Sequence, residues 1–385
     1  MRDPERVPLQ DLEAHHEPLQ AELAMAAVRV LASGQFICSA EVAALESELA
    51  AALGVPHAVG VSSGTDGLLA VLMACGVVPG AEVVTTPFSF FASMGSILRL
   101  GARPVFADID ADTLNLDPRA AAERVTARTR AVLVVHLFGR AARLGPLEDL
   151  SRRQDLSIVE DAAQAVAASL VEDGAAGRAR SVGSLGRAAV LSFFPSKNLG
   201  GFGDGGMVLT HDAALAGRLR LLRGHGAAVK HHHDTVGGNF RLDELQAALL
   251  RVKLPHLPRW TARRREVASQ YRERLADLPL RLPPPDPGCV WNQFVVRVPD
   301  GKRDGLRAHL AGAGVDSAVY YPIPLHLQPC VSELGWRRGD FPEAERAAQE
   351  TLALPIFPEL TTSEVDRVAQ AARGFYTGDR RARGG

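Results

Sequence analysis

One lysine stands where packing gives it little reason to be. Lys197 follows an apolar run inside SFFPSKNLGGFGDGG (residues 192–206), and five of the seven residues 200–206 are glycine. Glycine at that density abolishes helix propensity, so the backbone there must serve another purpose. A desolvated lysine has a lowered pKa and becomes a nucleophile toward carbonyl carbon, which makes it a Schiff-base former. Glycines beside it would let the backbone come close to a flat ligand. A surface lysine on a Gly-rich hairpin satisfies the same residues.

Two other stretches carry chemistry. In GVSSGTDGLL (residues 60–69) a strand runs through Ser62-Ser63-Gly64-Thr65 into a helix. The free N–H groups and dipole of a helix start favour a phosphate, although Ser63 or Thr65 would equally serve as a plain N-cap. In SIVEDAAQA (residues 157–165) an apolar strand ends in Glu160-Asp161, with Gln164 three residues on. Ligands of parallel α/β sheets bind beyond the carboxyl ends of strands. A desolvated Asp161 there needs a cationic partner, or it caps the next helix. Taken jointly, a lysine for an aldehyde, a helix start for a phosphate and a carboxylate for a ring nitrogen complement pyridoxal 5′-phosphate (PLP).

The intervening sequence supplies elements to hold these groups. Short β-branched runs near residues 58–63, 82–87, 103–109, 130–137 and 156–161 alternate with helical stretches. That alternation predicts a mostly parallel sheet covered by helices. Residues 188–194 and 205–210 read as two more strands with no helix between them. Ser39 is a plausible N-cap, and Gly54 a plausible stop, for the helix near 40–53. Beyond about residue 240 the pattern shifts to long amphipathic helices, a Pro-rich connector at 282–288 and a strand near 290–299.

Bulk properties narrow the class. The 385 residues suffice for two domains, and 43 basic against 44 acidic side chains leave a formal charge of −1. That balance argues against a nucleic-acid backbone or an anionic membrane as partner. No apolar run approaches the roughly 20 residues of a membrane span. The charged N-terminus lacks a signal-peptide core. The four cysteines, Cys38, Cys75, Cys289 and Cys330, show no CxxC spacing, which points to the reducing cytoplasm rather than to disulfides or zinc. Lys230-His231-His232-His233 invites a metal reading, but adjacent histidines rarely converge on one ion without further ligands, and no metal is expected. His15-His16 reads as surface, and GDRRARGG (378–385) as a frayed tail.

The sequence resembles the DegT/StrS-type sugar aminotransferases across nearly its whole length, through SSGTDGL, TPFSFFAS, VEDAAQA, SFFPSKNLGGFGDGG and NFRLDELQAA. The resemblance implies an α/β fold of PLP fold-type I. It would have a three-layer large domain over 21–250, a smaller C-terminal α+β domain over 251–385, and an arm over 1–20 packing on the latter. It implies Lys197 as the residue joined to the cofactor aldehyde and Asp161 at the pyridine nitrogen. Gln164 would lie near the ring hydroxyl, and Phe90 would stack on the ring. Gly64, Thr65 and Ser192 would hold the phosphate, with Asn239 reaching it from the other subunit of a homodimer. Lys230, His233, Tyr321 and His326 would meet the substrate. The implied reaction moves an amino group from L-glutamate, by way of pyridoxamine 5′-phosphate, to a nucleoside-diphosphate keto sugar. The stretch around 231–254 leans toward a 3-keto sugar. A 4-keto sugar, a sugar dehydratase (whose relatives carry histidine in place of the lysine) and a non-catalytic regulator are the alternatives. The chain departs from the family pattern at Ala81, Val166-Ala167, Asn292 and Tyr320, and the last two lie where the sugar pocket is expected.

Overall fold

The computed structural model describes residues 6–154, 156–171 and 179–383, with side chains through 378. Among them, seven strands form the central sheet: β1 (His57–Val61), β2 (Glu82–Thr85), β3 (Arg103–Phe106), β4 (Thr129–Val135), β5 (Ser157–Asp161), β6 (Ala188–Ser192) and β7 (Gly206–Thr210). Their spatial order is β1-β7-β6-β5-β4-β2-β3. The pairs from β6 through β3 are all parallel, while β7 runs antiparallel to both β1 and β6. The missing helix between residues 192 and 206 is the cause. Without a crossover helix the chain returns directly, and a direct return gives an antiparallel neighbour. Most of the strand residues are buried, as both faces of a helix-covered sheet require.

Apolar residues on opposite sides of the sheet form two cores. One joins Val42, Leu45 and Leu49 of the helix Ala40–Leu53 to Val132, Val134 and Leu191. The other joins Leu68, Val71 and Leu72 of the helix Gly64–Ala74 to Val83, Leu133 and Val190. Each fully buried Leu or Val contributes roughly 1.5–3 kcal/mol. A separate core gathers Val7, Val267, Tyr271, Phe294, Leu310 and Val368. The helix Leu257–Arg274 reaches both regions, with Leu257 and Trp260 in the sheet core and Val267 and Tyr271 in the separate one. The arm joins this second body by backbone pairing. Val7 N–H donates to Gly314 O at 2.8 Å, and Asp316 N–H to Val7 O at 2.9 Å.

Local signals differ from expectation in four places. Ser39 does sit at the start of its helix, but its hydroxyl turns to Gln35 and caps nothing. The buried carboxylate of Glu244 takes the Ser39 and Glu41 N–H groups instead, so a distant acid does the capping. Gly54 ends that helix at φ +68° as the stop signal required. His15 and His16 are not surface residues: His15 is buried and bonded to Glu359 at 2.8 Å, and His16 is half-buried against Lys253. Residues 378–383 of the expected frayed tail continue the helix Thr362–Arg383, and 384–385 lie outside the described residues. The strand Thr351–Leu354, paired with Phe294–Arg297, was not read from the sequence.

Candidate active site

The strands deliver the chemistry to one end of the sheet. β1, β5 and β6 finish there at Val61, Asp161 and Ser192, and β7 begins there at Gly206. A cavity of about 680 Å³ opens at these ends, lined among others by Gly64, Thr65, Phe90, Asp161, Gln164, Ser192, Lys197 and Tyr321. Three sequence stretches separated by up to 133 residues therefore face a single space.

Asp161 is buried on the cavity floor. Burial raises its pKa, against the opposing pull of four neighbours. Ser93 Oγ donates to its Oδ2 at 2.7 Å, Ala163 N–H donates to Oδ1 at 3.2 Å, and Lys197 and His136 act through their charge. Burial lowers Lys197 to about 8, with Asp161 acting the other way. Its Nζ has no hydrogen-bond partner among the described residues, so Asp161 is the counter-charge it feels. Gln164 is fixed by its neighbours: Oε1 accepts from Phe138 N–H at 2.6 Å, and Nε2 donates to Tyr321 Oη at 3.1 Å.

The helix start at the cavity rim explains the glycines. Ser63 caps the helix Gly64–Ala74 by accepting from Asp66 N–H at 3.0 Å. The Gly64 and Thr65 N–H groups lie in the first turn, where a helix supplies no acceptor. A Cβ on Gly64 would stand 2.9 Å from Ser192 Cβ, and one on Gly206 would stand 2.8 Å from the Ser63 carbonyl carbon. The helix start can nest between β6 and β7 only because both positions are glycine. The glycines near Lys197 have the same explanation, which replaces the expected approach to a flat ligand. A Cβ on Gly200 would lie 2.1 Å from Pro195 O, and one on Gly201 would lie 2.9 Å from Gln246 Oε1.

Four predicted residues lie elsewhere. Asn239 is exposed and lines a neighbouring cavity of about 570 Å³ that shares Ser63 and Asp204 with the first. Lys230 and His233 stand exposed at the hairpin formed by Ala227–Val229 and His232–His233. His326 corrects a substrate expectation. It is buried between Phe106 and Phe341 with Nε2 3.1 Å from Glu345 Oε1, and it does not reach the cavity. Of the two departures placed near the sugar pocket, Tyr320 lines the cavity, but Asn292 sits behind it and bonds Asn198 Oδ1 at 2.8 Å. Among the described residues, no group of three or more His, Cys, Asp or Glu side chains could hold a metal ion, and no helix is long and apolar enough to cross a membrane. Sequence reasoning missed Ser93, whose hydroxyl meets the key carboxylate and also Ser89 Oγ at 3.0 Å. Its signal was the pair of serines four residues apart in FSFFAS.

Comparison with known proteins decides the family. Residues 18–373 match the DegT/DnrJ/EryC1/StrS aminotransferase family. The chain belongs to this aminotransferase family. A "Pleiotropic regulatory protein" of Geobacillus stearothermophilus is 44% identical over 96% of this chain and 98% of its own length. The dTDP-3-amino-3,4,6-trideoxy-alpha-D-glucose transaminase of Streptomyces venezuelae is 43% identical over 96% of each chain. The solved structure of S. venezuelae DesV "in complex with ketimine intermediate" superposes with a TM-score of 0.91, at 43% identity, covering 96% of this chain and 98% of that one. The fold is thus that of fold-type I aminotransferases, and the cofactor of this aminotransferase is PLP. The cavity suits that group on its own terms. A first helical turn with open N–H groups, a buried carboxylate without a full counter-charge and a lysine amine without an acceptor match a phosphate, a ring nitrogen and an aldehyde.

Proposed function

We propose that this aminotransferase moves an amino group from L-glutamate to a nucleoside-diphosphate-linked keto-deoxysugar, with the keto carbon at ring position 3. The observation that carries the reading is the convergence of Lys197, Asp161 and the Gly64–Thr65 turn on one cavity. The dTDP-3-amino sugar for which the S. venezuelae relative is named supports the ring position. Lys197, where a dehydratase would carry histidine, supports transfer over dehydration.

PLP, when bound, supplies an electron sink for the carbon that loses its proton. The residues do the rest. Asp161 would hold a proton on the ring nitrogen, Phe90 would cover the ring, and Gln164 would orient the ring hydroxyl. Gly64, Thr65 and Ser192 would bind the phosphate. With the cofactor bound, Lys197 Nζ would take the α-proton of the donor as general base and return it as general acid. Its pKa near 8 keeps a usable fraction of the amine neutral at physiological pH. We further propose a homodimer in which Asn239, Lys230 and His233 serve the partner's cavity. The helix Gln20–Ser33 supports this by exposing Met25, Val28 and Leu31, continued by Phe36 and Ile37, because so large an apolar face on one side marks an interface.

The decisive experiment presents purified enzyme and glutamate with a panel of TDP- and UDP-linked 3-keto and 4-keto sugars, read by mass spectrometry alongside 2-oxoglutarate release. The expected outcome is an aminated 3-keto sugar with stoichiometric 2-oxoglutarate, and none of either with Lys197→Ala. Turnover confined to a 4-keto compound defeats the ring position. Turnover undiminished in Lys197→Ala defeats the role of the lysine.

A further inference from the structure

The loop bearing Lys197 is gripped from beneath by residues the reaction does not use. Gln10 Nε2 donates to Ser196 O at 2.7 Å, on the N-terminal side of Lys197. On its C-terminal side, Lys253 Nζ donates to Gly200 O. Lys253 is fully buried, yet no carboxylate pairs with it among the described residues. Its remaining neighbours are His16 Nε2 at 3.0 Å and the rings of Phe202 and Trp260, with centroids at 5.4 and 5.9 Å. Burial, followed by the charge of Lys253 and then His15, lowers His16 to about 4, so its ring is neutral and accepts. Burial also lowers Lys253 to about 8, with Glu359 opposing, which leaves it mainly a cation at neutral pH. A buried cation is costly unless fixed partners compensate it. Here the compensation is a backbone carbonyl, a histidine, two aromatic faces and the unbonded charge of Glu359.

We propose that Gln10, His16 and Lys253 form a clamp that positions the reactive lysine: they fix the carbonyl oxygens on either side of Lys197, Ser196 O and Gly200 O, and so hold its amine buried against Asp161. The inference rests on the assignment of Lys197 as the cofactor-bonding residue. The clamp acts through the backbone, so these are positioning residues. Two of the three sit on the arm that is also paired to Gly314 and Asp316.

The test uses the full-length, cofactor-free protein with added PLP. Lys197 Nζ condenses with the aldehyde carbon, losing water, and borohydride reduces the resulting C=N bond to a stable adduct that peptide mass spectrometry locates. In the wild-type chain the adduct forms on residue 197; an adduct elsewhere, or none, defeats the lysine assignment itself. With that adduct established, Lys253→Met slows attachment about tenfold and Gln10→Ala about threefold, as expected for one charge-assisted and one neutral hydrogen bond. A second readout separates positioning from general destabilisation. Loosening the loop hydrates Lys197, whose facing charge is Asp161, so the pH midpoint for attachment rises from near 8 toward the ordinary lysine value of 10.5. Attachment rates and midpoints equal to wild type in both variants overturn the clamp. Should Lys253→Met fail to fold, Gln10→Ala, on the half-buried arm, decides alone by the same two measurements.

Discussion

Burial works against the charged form of both Lys197 and Asp161, and each is partly answered by the charge of the other. The lysine makes the effect measurable. Its pKa is about 8 in the folded chain against 10.5 for an ordinary lysine. Between those values the unfolded chain keeps a proton that the folded chain has released, so the stability owed to this group rises with pH across the window. Lys197→Met removes the titration. The stability difference between the cofactor-free variant and wild type is therefore expected to move in favour of wild type by on the order of 3 kcal/mol as pH rises from 7 toward 10. Paired denaturant titrations at the two pH values test this; a gap that stays constant refutes it. The same logic explains why Ser93 matters: its hydroxyl is the second-largest influence on Asp161 after burial itself, and it acts to keep the carboxylate ionised.

The elements around these residues depend on close backbone approach. Gly206→Ala would drive a Cβ against Leu191 O, Ser63 C and Gly64 N, all backbone atoms within 2.9 Å. A loss of about 2 kcal/mol in stability follows from such overpacking, together with weaker PLP binding, because the displaced atoms belong to the turn proposed to hold the phosphate. Gly217→Ala is the matched control. It lies inside the helix Ala213–Leu222 with nothing within 4 Å of the added carbon, so a gain of about 0.5–1 kcal/mol is expected. Denaturation midpoints of the two variants moving the same way would contradict this account. Periodicity made the sheet strands and the long helices legible, because burial on both faces writes itself as continuous β-branched runs. What it could not reveal were contacts between distant residues. Nothing local to Ser39 announces that Glu244 will cap its helix, nothing in His15-His16 announces a buried lysine at position 253, and the Gly200 requirement comes from the Pro195 carbonyl. The strand Thr351–Leu354 escaped because four residues before a proline carry too little pattern. Lys197, Asp161 and the Gly64–Thr65 turn were legible because chemistry restricts residue type more tightly than packing does. His326 misled for the opposite reason: a histidine can satisfy a core as well as a ligand.

At the scale of the whole molecule, the apolar face of the helix Gln20–Ser33 leads toward the cavity that holds Asn239. Replacing Val28 and Leu31, 62% and 63% exposed, with aspartate puts charge into the proposed interface and leaves the core of the chain untouched. Sedimentation is expected to show a monomer with impaired PLP retention; a doubly substituted protein that stays dimeric would rule this surface out. A different consequence follows from the single reversed strand. β7 wedges between β1 and β6, and its first residue, Gly206, completes the nest for the helix start at Gly64. On the proposed reading of that nest, a nascent polypeptide still short of residue 206 has its lysine and its aspartate but no seat for the phosphoryl group. Vitamin capture would then belong to the chain after more than half of it has been synthesised, however early the first strands collapse.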